Sequence, residues 1–460
     1  LSLVYTTDST YRADTPHPSC STPLNAVILL LFQWIIYGRY TFVYFAAEPR
    51  KSGRTTMTGS PVVVLDIGAS KVLCLVGEVQ SDSQVKILGM GQNPCTGLRR
   101  SVVIDMPQVV EAIRNSVAEA ERSAGLKISG AYLGMAGEDI TAKTNCSTVA
   151  ISGSSNPISE EDRDRALIAA EQDHANLSQT VMHRFVQSYA VDGEPVQNPL
   201  WLHGNRLSVE MLTISASGNA CTTLRHAASE ADLEIAGFLL ESVGAAHATL
   251  SHDERDMGVG LLDIGAGTCD LSLFCGSMRH LEEIPLGGED ITRDLSVVLS
   301  IPPREAEQLK RQFGSVNCQG DEGDQSVTYR TTAGRTCTMT RQQFSEIIEA
   351  RQREIFEHVH RALADAPYNN HLSAGIVLTG GGAMLDQLAP LAEEVLGHHV
   401  RIGAPRDIIA PEALGNPSFA AAVGLLRFAA DEHGEMREVR STERTGSGFM
   451  NTLGKLLSFF

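Results

Sequence analysis

The stretch LDIGAGTCD, Leu262 to Asp270, has a near copy in LDIGASK, Leu65 to Lys71. In each copy an apolar run ends in an aspartate, and a glycine follows with one residue between. A small hydroxyl residue, Ser70 or Thr268, stands just beyond. Glycine takes backbone angles closed to other residues, so the chain can reverse sharply and bring its amides close to an anion. The aspartate is a hard oxygen ligand of the kind that holds Mg²⁺ through retained waters. Ser70 and Thr268 offer hydroxyls, and Lys71 a positive charge, to phosphate oxygens. A lone strand-Asp-Gly hairpin is common and says little. Two on matched strands, half a chain apart, imply two similar halves facing one another, and facing hairpins can clamp a polyphosphate and its metal between them.

The surrounding chain is globular in character: 460 residues, 43% hydrophobic and 20% charged. That is ample for two or three domains and unlike a disordered or polytopic membrane protein. A net charge of −18 argues against nucleic acid as a partner, because gripping a phosphate backbone takes clustered Lys and Arg. A nucleotide contact must then be local, through backbone amides and metal. Nine scattered cysteines, never spaced C-x-x-C, fit a reducing cytosol rather than a disulfide framework or a zinc site. Residues 1–56 differ in kind, since Asn25 to Ala47, NAVILLLFQWIIYGRYTFVYFAA, is apolar and aromatic, broken by Gln33 and Arg39. This extension reads either as an upstream translation artefact or as a membrane or signal-like segment. On both readings it is expected to lie outside the fold, which starts after Met57.

PVVVLDIGASKVLCLVGEV (61–79) predicts two strands around a glycine turn. DMPQVVEAIRNSVAEAERSAGL predicts a helix with Val109, Val110, Ile113 and Val117 on one face and Gly125 near its end. GAYLGMAG is a short strand. From about Asn145 to Ser217 the character changes: Ser159 caps SEEDRDRALIAAEQ, and HRFVQSYAVDG and RLSVEMLTISAS read as strands, making a small inserted α+β unit. Asn219 is then expected to cap a helix running through CTTLRHAASEADLEIAG. NCQGDEGDQS reads as an exposed loop. The second half repeats the order, with strand-turn-strand from Gly258, helices from Asp290 onward, the strand AGIVLTGGG and another helix. Such alternation means α/β sheets layered with helices.

A third element is GIVLTGGGAML, Gly375 to Leu385, a strand running into three glycines and a helix start. Glycines there let backbone lie against a flat base or a phosphate, with a helix N-terminus adding positive potential. In this order the three elements resemble the ATP cleft of the actin, heat-shock chaperone and sugar kinase superfamily. More narrowly, LDIGASK, LLDIGAGTCD, IPLGGEDIT, AEQLK, HLSAGIVLTGGGAML with RIGAP after it, and the end of the chain resemble the FtsA family of bacterial division proteins. The likeness runs from about Met57 to Phe460.

That resemblance implies an α/β, actin-like (ribonuclease H-like duplicated), two-lobed ATPase fold with ATP and Mg²⁺ as cofactors. Asp66 and Asp263 would hold the hydrated metal, and Gly68, Ser70, Lys71, Gly265, Gly267 and Thr268 would line the phosphates. Gly380, Gly381 and Gly382 would flank the adenosine, and Glu307 and Lys310 of AEQLK would reach the ribose or base. Glu241 stands where related ATPases keep a residue that orients the attacking water. With Asp263 it makes the catalytic pair of at most a weak ATPase. NPSFAAAVGLL, Asn416 to Leu426, resembles the hinge helix joining the lobes, and the inserted unit matches the family's small subdomain. The implied organisation is an extension (1–56), a first lobe (57–144 and 218–257) interrupted by the insert (145–217), a second lobe (258–429), a flexible linker (430–447) and a terminal helix (448–460).

On a helix, Phe449, Met450, Leu453, Leu456, Leu457 and Phe460 of the closing GFMNTLGKLLSFF fall on one side. At about 1.5 Å per residue the segment reaches roughly 20 Å, short of a ~30 Å hydrocarbon core, so it can lie on a membrane but not span it. In the FtsA family this helix is the membrane anchor. The resemblance therefore implies an ATP-binding protein that polymerises on the cytoplasmic side of the inner membrane, at the division septum, and anchors FtsZ filaments. Its partners would be the FtsZ C-terminal peptide, further copies of itself, membrane lipid and other division proteins. The rival readings are a sugar or metabolite kinase on the same fold, a chaperone-like ATPase, and a pilus-assembly adaptor of the same superfamily.

Overall fold

Apolar runs with almost no polar break, such as Val62–Ile67 and Lys71–Val79, suit strands covered on both faces. In the computed structural model of the protein they lie at the centre of a sheet, with Val64, Leu65, Val72, Leu73 and Leu75 wholly buried. The structure describes residues 61–80, 84–99, 102–152, 157–172 and 178–430. The extension 1–56, the linker beyond Ala430 (itself the last described residue of a helix) and the tail bearing Phe449, Met450, Leu453, Leu456, Leu457 and Phe460 lie outside the described residues.

The first sheet has six strands in the order Glu234–Leu240, Gly130–Met135, Val62–Ile67, Lys71–Val79, Val85–Pro94, Ile408–Ile409. The second has five, in the order Val400–Ile402, Ile376–Thr379, Val259–Ile264, Cys269–Cys275, Ser277–Ile284. Both share one construction: an antiparallel three-strand meander whose first strand is flanked on its other side by two parallel strands. The registers set Asp66 opposite Leu73 and Gly134, and Asp263 opposite Asp270 and Thr379. The repeated phrase is thus a repeated piece of architecture.

Helix Met106–Ala124 covers the first sheet with Val109, Ala112, Ile113, Val117 and Ala120 buried. Asp105 accepts the Gln108 amide at its start, and Gly125 at φ 69° ends it. Helix Arg341–Asp365 covers the second sheet through Ile348, Ile355, Phe356 and Val359. The inserted unit is a four-stranded antiparallel sheet in the order Ile140–Ala150, Arg206–Ser217, Gln179–Val191, Glu194–Val196. Helix Glu160–Gln172 packs Ala166, Leu167 and Ala170 against its Leu207, Val209 and Met211. Ser159 caps that helix by accepting the Asp162 amide.

The helix expected from Asn219 through Gly237 is shorter. Ser217 is its cap, accepting the Ala220 amide, and it runs Gly218–Glu230. Asp232, at φ 59°, turns the chain out of the helix, and Glu234–Leu240 becomes the outer parallel strand of the first sheet. Short apolar runs such as ADLEIAG fit either state by pattern alone, and here sheet pairing decides. A helix over 420–430 then returns to pack Ala422, Val423, Leu425 and Leu426 against Val64, Leu73 and Leu75 of the first sheet. It meets helix Glu241–Thr249 glycine to glycine: a Cβ on Gly424 would lie 1.7 Å from the Gly244 carbonyl oxygen. No helix among the described residues is long and apolar enough to cross a membrane.

Candidate functional site

Each hairpin closes with the same bond. The Gly68 amide donates to the Lys71 carbonyl at 2.9 Å, and the Gly265 amide to the Thr268 carbonyl at 2.9 Å. The second turn, which includes Gly267, is braced from behind. The Gly288 and Glu289 amides, at the start of helix Gly288–Leu299, donate to the Gly265 and Ala266 carbonyls at 3.0 and 2.7 Å. A Cβ on Gly287 would come within 2.6 Å of the Ala266 oxygen, which explains the glycine of IPLGGEDIT.

The carboxylates gather around these turns. Asp66 is buried, and Glu241, the first residue of helix Glu241–Thr249, hydrogen-bonds to it. Asp263 and Glu241 lie deep among protein atoms yet keep some surface open, as groups on the floor of a cleft would. Burial, then the charge of Asp66, pushes the Asp263 carboxyl up to about 7, with Lys71 opposing. Burial, then the charges of Asp66, Asp263 and Asp270, push the Glu241 carboxyl well above its ordinary value, and its hydrogen bond to Asp66 adds to that rise. Burial likewise lowers Lys71, against the pull of Asp66 and Asp263. The two aspartates and Lys71 are therefore within electrostatic reach of one another. The Lys71 ammonium donates to the Ser418 carbonyl at 3.2 Å and sits 4.4 Å from the centre of the Phe419 ring.

The third motif closes over Asp263. Gly380 has φ 83°, and a Cβ there would lie 2.2 Å from the Asp263 Oδ1. A Cβ on Gly382 would strike Ile264 Cγ2 at 2.2 Å, whereas Gly381 has no neighbour nearer than Ser418 Cβ at 3.9 Å. Two of these glycines serve packing and one faces open space. The expected helix start is displaced: a single 3-10 turn, Gly382–Met384, follows the strand, and the α-helix begins only at Leu388.

Glu307 and Lys310 face the second turn. They form an ion pair at 2.7 Å, Lys310 donates to the Gly288 carbonyl at 2.7 Å, and Thr292 donates to Glu307 at 2.6 Å. Arg311 also donates to Glu307, at 2.8 Å, and its charge reaches Lys71. Sequence reasoning passed over Arg311, although it stands next to Lys310, and over Asp270, the second acid of the quoted stretch. Asp270 is buried directly across from Glu283 on the neighbouring strand, and burial with the charges of Asp263 and Glu283 drives its carboxyl well up.

Among the described residues no three His, Cys, Asp or Glu side chains make a metal-holding set. Asp66 and Asp263 offer hard oxygen donors in a place where negative charge is crowded, which fits a divalent cation completed by water and phosphate oxygens. A cavity of about 420 Å³ elsewhere, lined by His360, Asn369, Asn370, Ser373 and His398, touches none of the expected site residues.

A duplicated sheet carrying matched Asp-x-Gly turns, with a small α+β unit inserted in its first half, defines a two-lobed protein of the actin-like class. The solved structure of a PilM-PilN type IV pilus biogenesis complex shares this fold with TM-score 0.59, at 18% identity over 80% of this chain and 98% of that one. The family model of cell division protein FtsA matches residues 260–424, and that of the SHS2 domain inserted in FtsA matches 137–215. Cell division protein FtsA of Pseudomonas aeruginosa is 32% identical over 385 residues, 83% of this chain and 92% of the relative. That of Bacillus subtilis is 34% identical over 372 residues, 80% and 83% of the two chains. The chain belongs to the FtsA family of cell division proteins.

Proposed function

We propose that the cleft binds Mg²⁺-ATP as a conformational and assembly ligand, hydrolysed slowly at most. The protein polymerises on the cytoplasmic side of the inner membrane and anchors FtsZ filaments, through the FtsZ C-terminal peptide, at the division septum. The observation that carries the nucleotide reading is the pair of like turns, one from each sheet, each closed by the same glycine amide-to-carbonyl bond and each preceded by an aspartate on the first strand of its meander. Asp66 and Asp263 would hold the hydrated ion, which supplies countercharge to the phosphates. Gly68, Ser70, Gly265, Gly267 and Thr268 present amides and hydroxyls to the phosphates, with Lys71 as a further cation. Gly381 offers its open face to the adenosine while Gly380 and Gly382 hold the loop down, and Glu307 and Lys310 flank the ribose or base. Glu241 orients a water at the phosphate end. The tail lies on lipid through Phe449, Met450, Leu453, Leu456, Leu457 and Phe460. Family membership supports the division role.

Titration of the full chain with a fluorescent ATP analogue should show saturable binding that needs Mg²⁺ and is lost in D263N. Vesicle co-sedimentation should pellet the full chain and leave a chain ending at Gly448 in solution. Binding indifferent to Mg²⁺ and to D263N would sink the cleft assignment; equal pelleting would sink the anchor.

A further inference from the structure

We infer that His183, which belongs to the inserted unit, is a positioning residue for Glu241. The inference rests on the nucleotide reading above and deepens it, because it makes the inserted sheet part of the support of the cleft.

Glu241 follows Leu240, the last residue of the outer strand of the first sheet, and opens helix Glu241–Thr249. The helix has no side-chain cap from its own sequence. Instead the Leu240 amide donates to His183 Nε2 at 2.9 Å. His183 stands on strand Gln179–Val191 of the insert, and both residues are buried. Because Nε2 accepts, the ring proton sits on Nδ1 and the imidazole is neutral. Without this acceptor the buried Leu240 amide would lose its partner, and the corner that aims Glu241 would be free to shift.

The ring is itself held. It stacks on Phe185 at 5.9 Å between centroids and meets the edge of Phe428 at 5.3 Å. Phe428 lies on the 420–430 helix, and His247 of the Glu241 helix approaches the same ring at 5.3 Å. His183 thus joins three bodies at one point: the insert, the strand-to-helix corner and the returning helix. A carboxyl that orients water must be placed to within a fraction of an ångström, and a corner fixed one residue away supplies that placement.

The test compares the wild-type full chain with H183Q, H183N, H183F, E241Q and the double variant E241Q/H183F. Three quantities are read: affinity for a fluorescent ATP analogue, single-turnover phosphate release from Mg²⁺-ATP, and melting temperature. Gln carries an acceptor near the Nε2 position, Asn falls short of it, and Phe keeps the ring without it. H183F and H183N should release phosphate about 10- to 100-fold more slowly with nearly unchanged affinity, while H183Q stays within about threefold of wild type. Adding H183F to E241Q should slow release no further. The inference is overturned by wild-type rates in H183N, by equal losses in H183N and H183Q, by additive losses in the double variant, or by wild-type binding without turnover. If H183F fails to fold, the H183N and H183Q pair decides. A wild-type chain that binds no Mg²⁺-ATP would bring down the nucleotide reading first, and this inference with it.

Discussion

At Gly380 the backbone is held at φ 83°, and a methyl group there would sit 2.2 Å from the Asp263 carboxylate. Backbone strain of this kind is on the order of 1–3 kcal/mol before the clash is counted. G380A is therefore expected to melt lower than wild type and to lose Mg²⁺-nucleotide binding. G381A has only Ser418 Cβ at 3.9 Å to meet, so it should melt with the wild type while its nucleotide affinity falls. Thermal melts and analogue titrations check both, and a G381A chain melting several degrees low would show that its open face is filled. The aspartates of the turns were legible in the sequence because an acid ending an apolar strand stands out. The partner of Lys71 was not: it is a backbone carbonyl 347 residues away, which no side chain advertises. Arg311 was hidden differently, since a charge on a helix reads as solvated until folding brings it near Lys71.

Elements were legible where their ends carry signals. Helix Met106–Ala124 has Asp105 before it and Gly125 after it, and the sequence placed it. The Gly218–Glu230 helix was overrun because its stop is a non-glycine residue at positive φ, Asp232, followed by an apolar run that either state accepts. The crossing of the 420–430 helix on helix Glu241–Thr249 shows a stop of another kind, set by contact between distant glycines. A Cβ on Gly424 would lie 1.7 Å from Gly244 O, so G424A must push the helices apart. It should destabilise by about 1–3 kcal/mol or more, as overpacked sites do, read as a lowered urea midpoint; G415A, with nothing within 4 Å, is the neutral control. The small helix His252–Met257 gives a pH prediction. Burial raises the carboxyl of Glu254, but Arg401 at 2.7 and 2.8 Å and the Ser251 amide outweigh it and bring it down to about 2. Its stabilising contribution is present above its unfolded value near 4.5 and is lost as pH falls toward 2. E254Q should accordingly be less stable than wild type at pH 7 and approach it near pH 2–3, in urea titrations at each pH.

At the scale of the whole molecule, the duplicated order of sheet strands was foreshadowed by the repeated phrase, and the inserted unit by a change in residue character. What joins them was not foreshadowed: His183 and His247 come from different units and meet at Phe428. Burial pushes both imidazoles down to about 3. In the unfolded chain they take up protons near 6.5, so between about 6.5 and 3 the unfolded state binds more protons and stability falls as pH falls. The urea midpoint of the wild type should drop between pH 7 and pH 5, and less steeply in H247F. The bracing of the second turn has a mechanical consequence. Because Gly265 and Ala266 are bonded to the first amides of helix Gly288–Leu299, a tilt of that turn that kept both bonds would tilt the rod with it. Near the rod's far end, about 18 Å along at twelve residues, Val297 and Val298 stand in solvent. The turn is the short arm of a lever, and two bare apolar side chains ride on the long one.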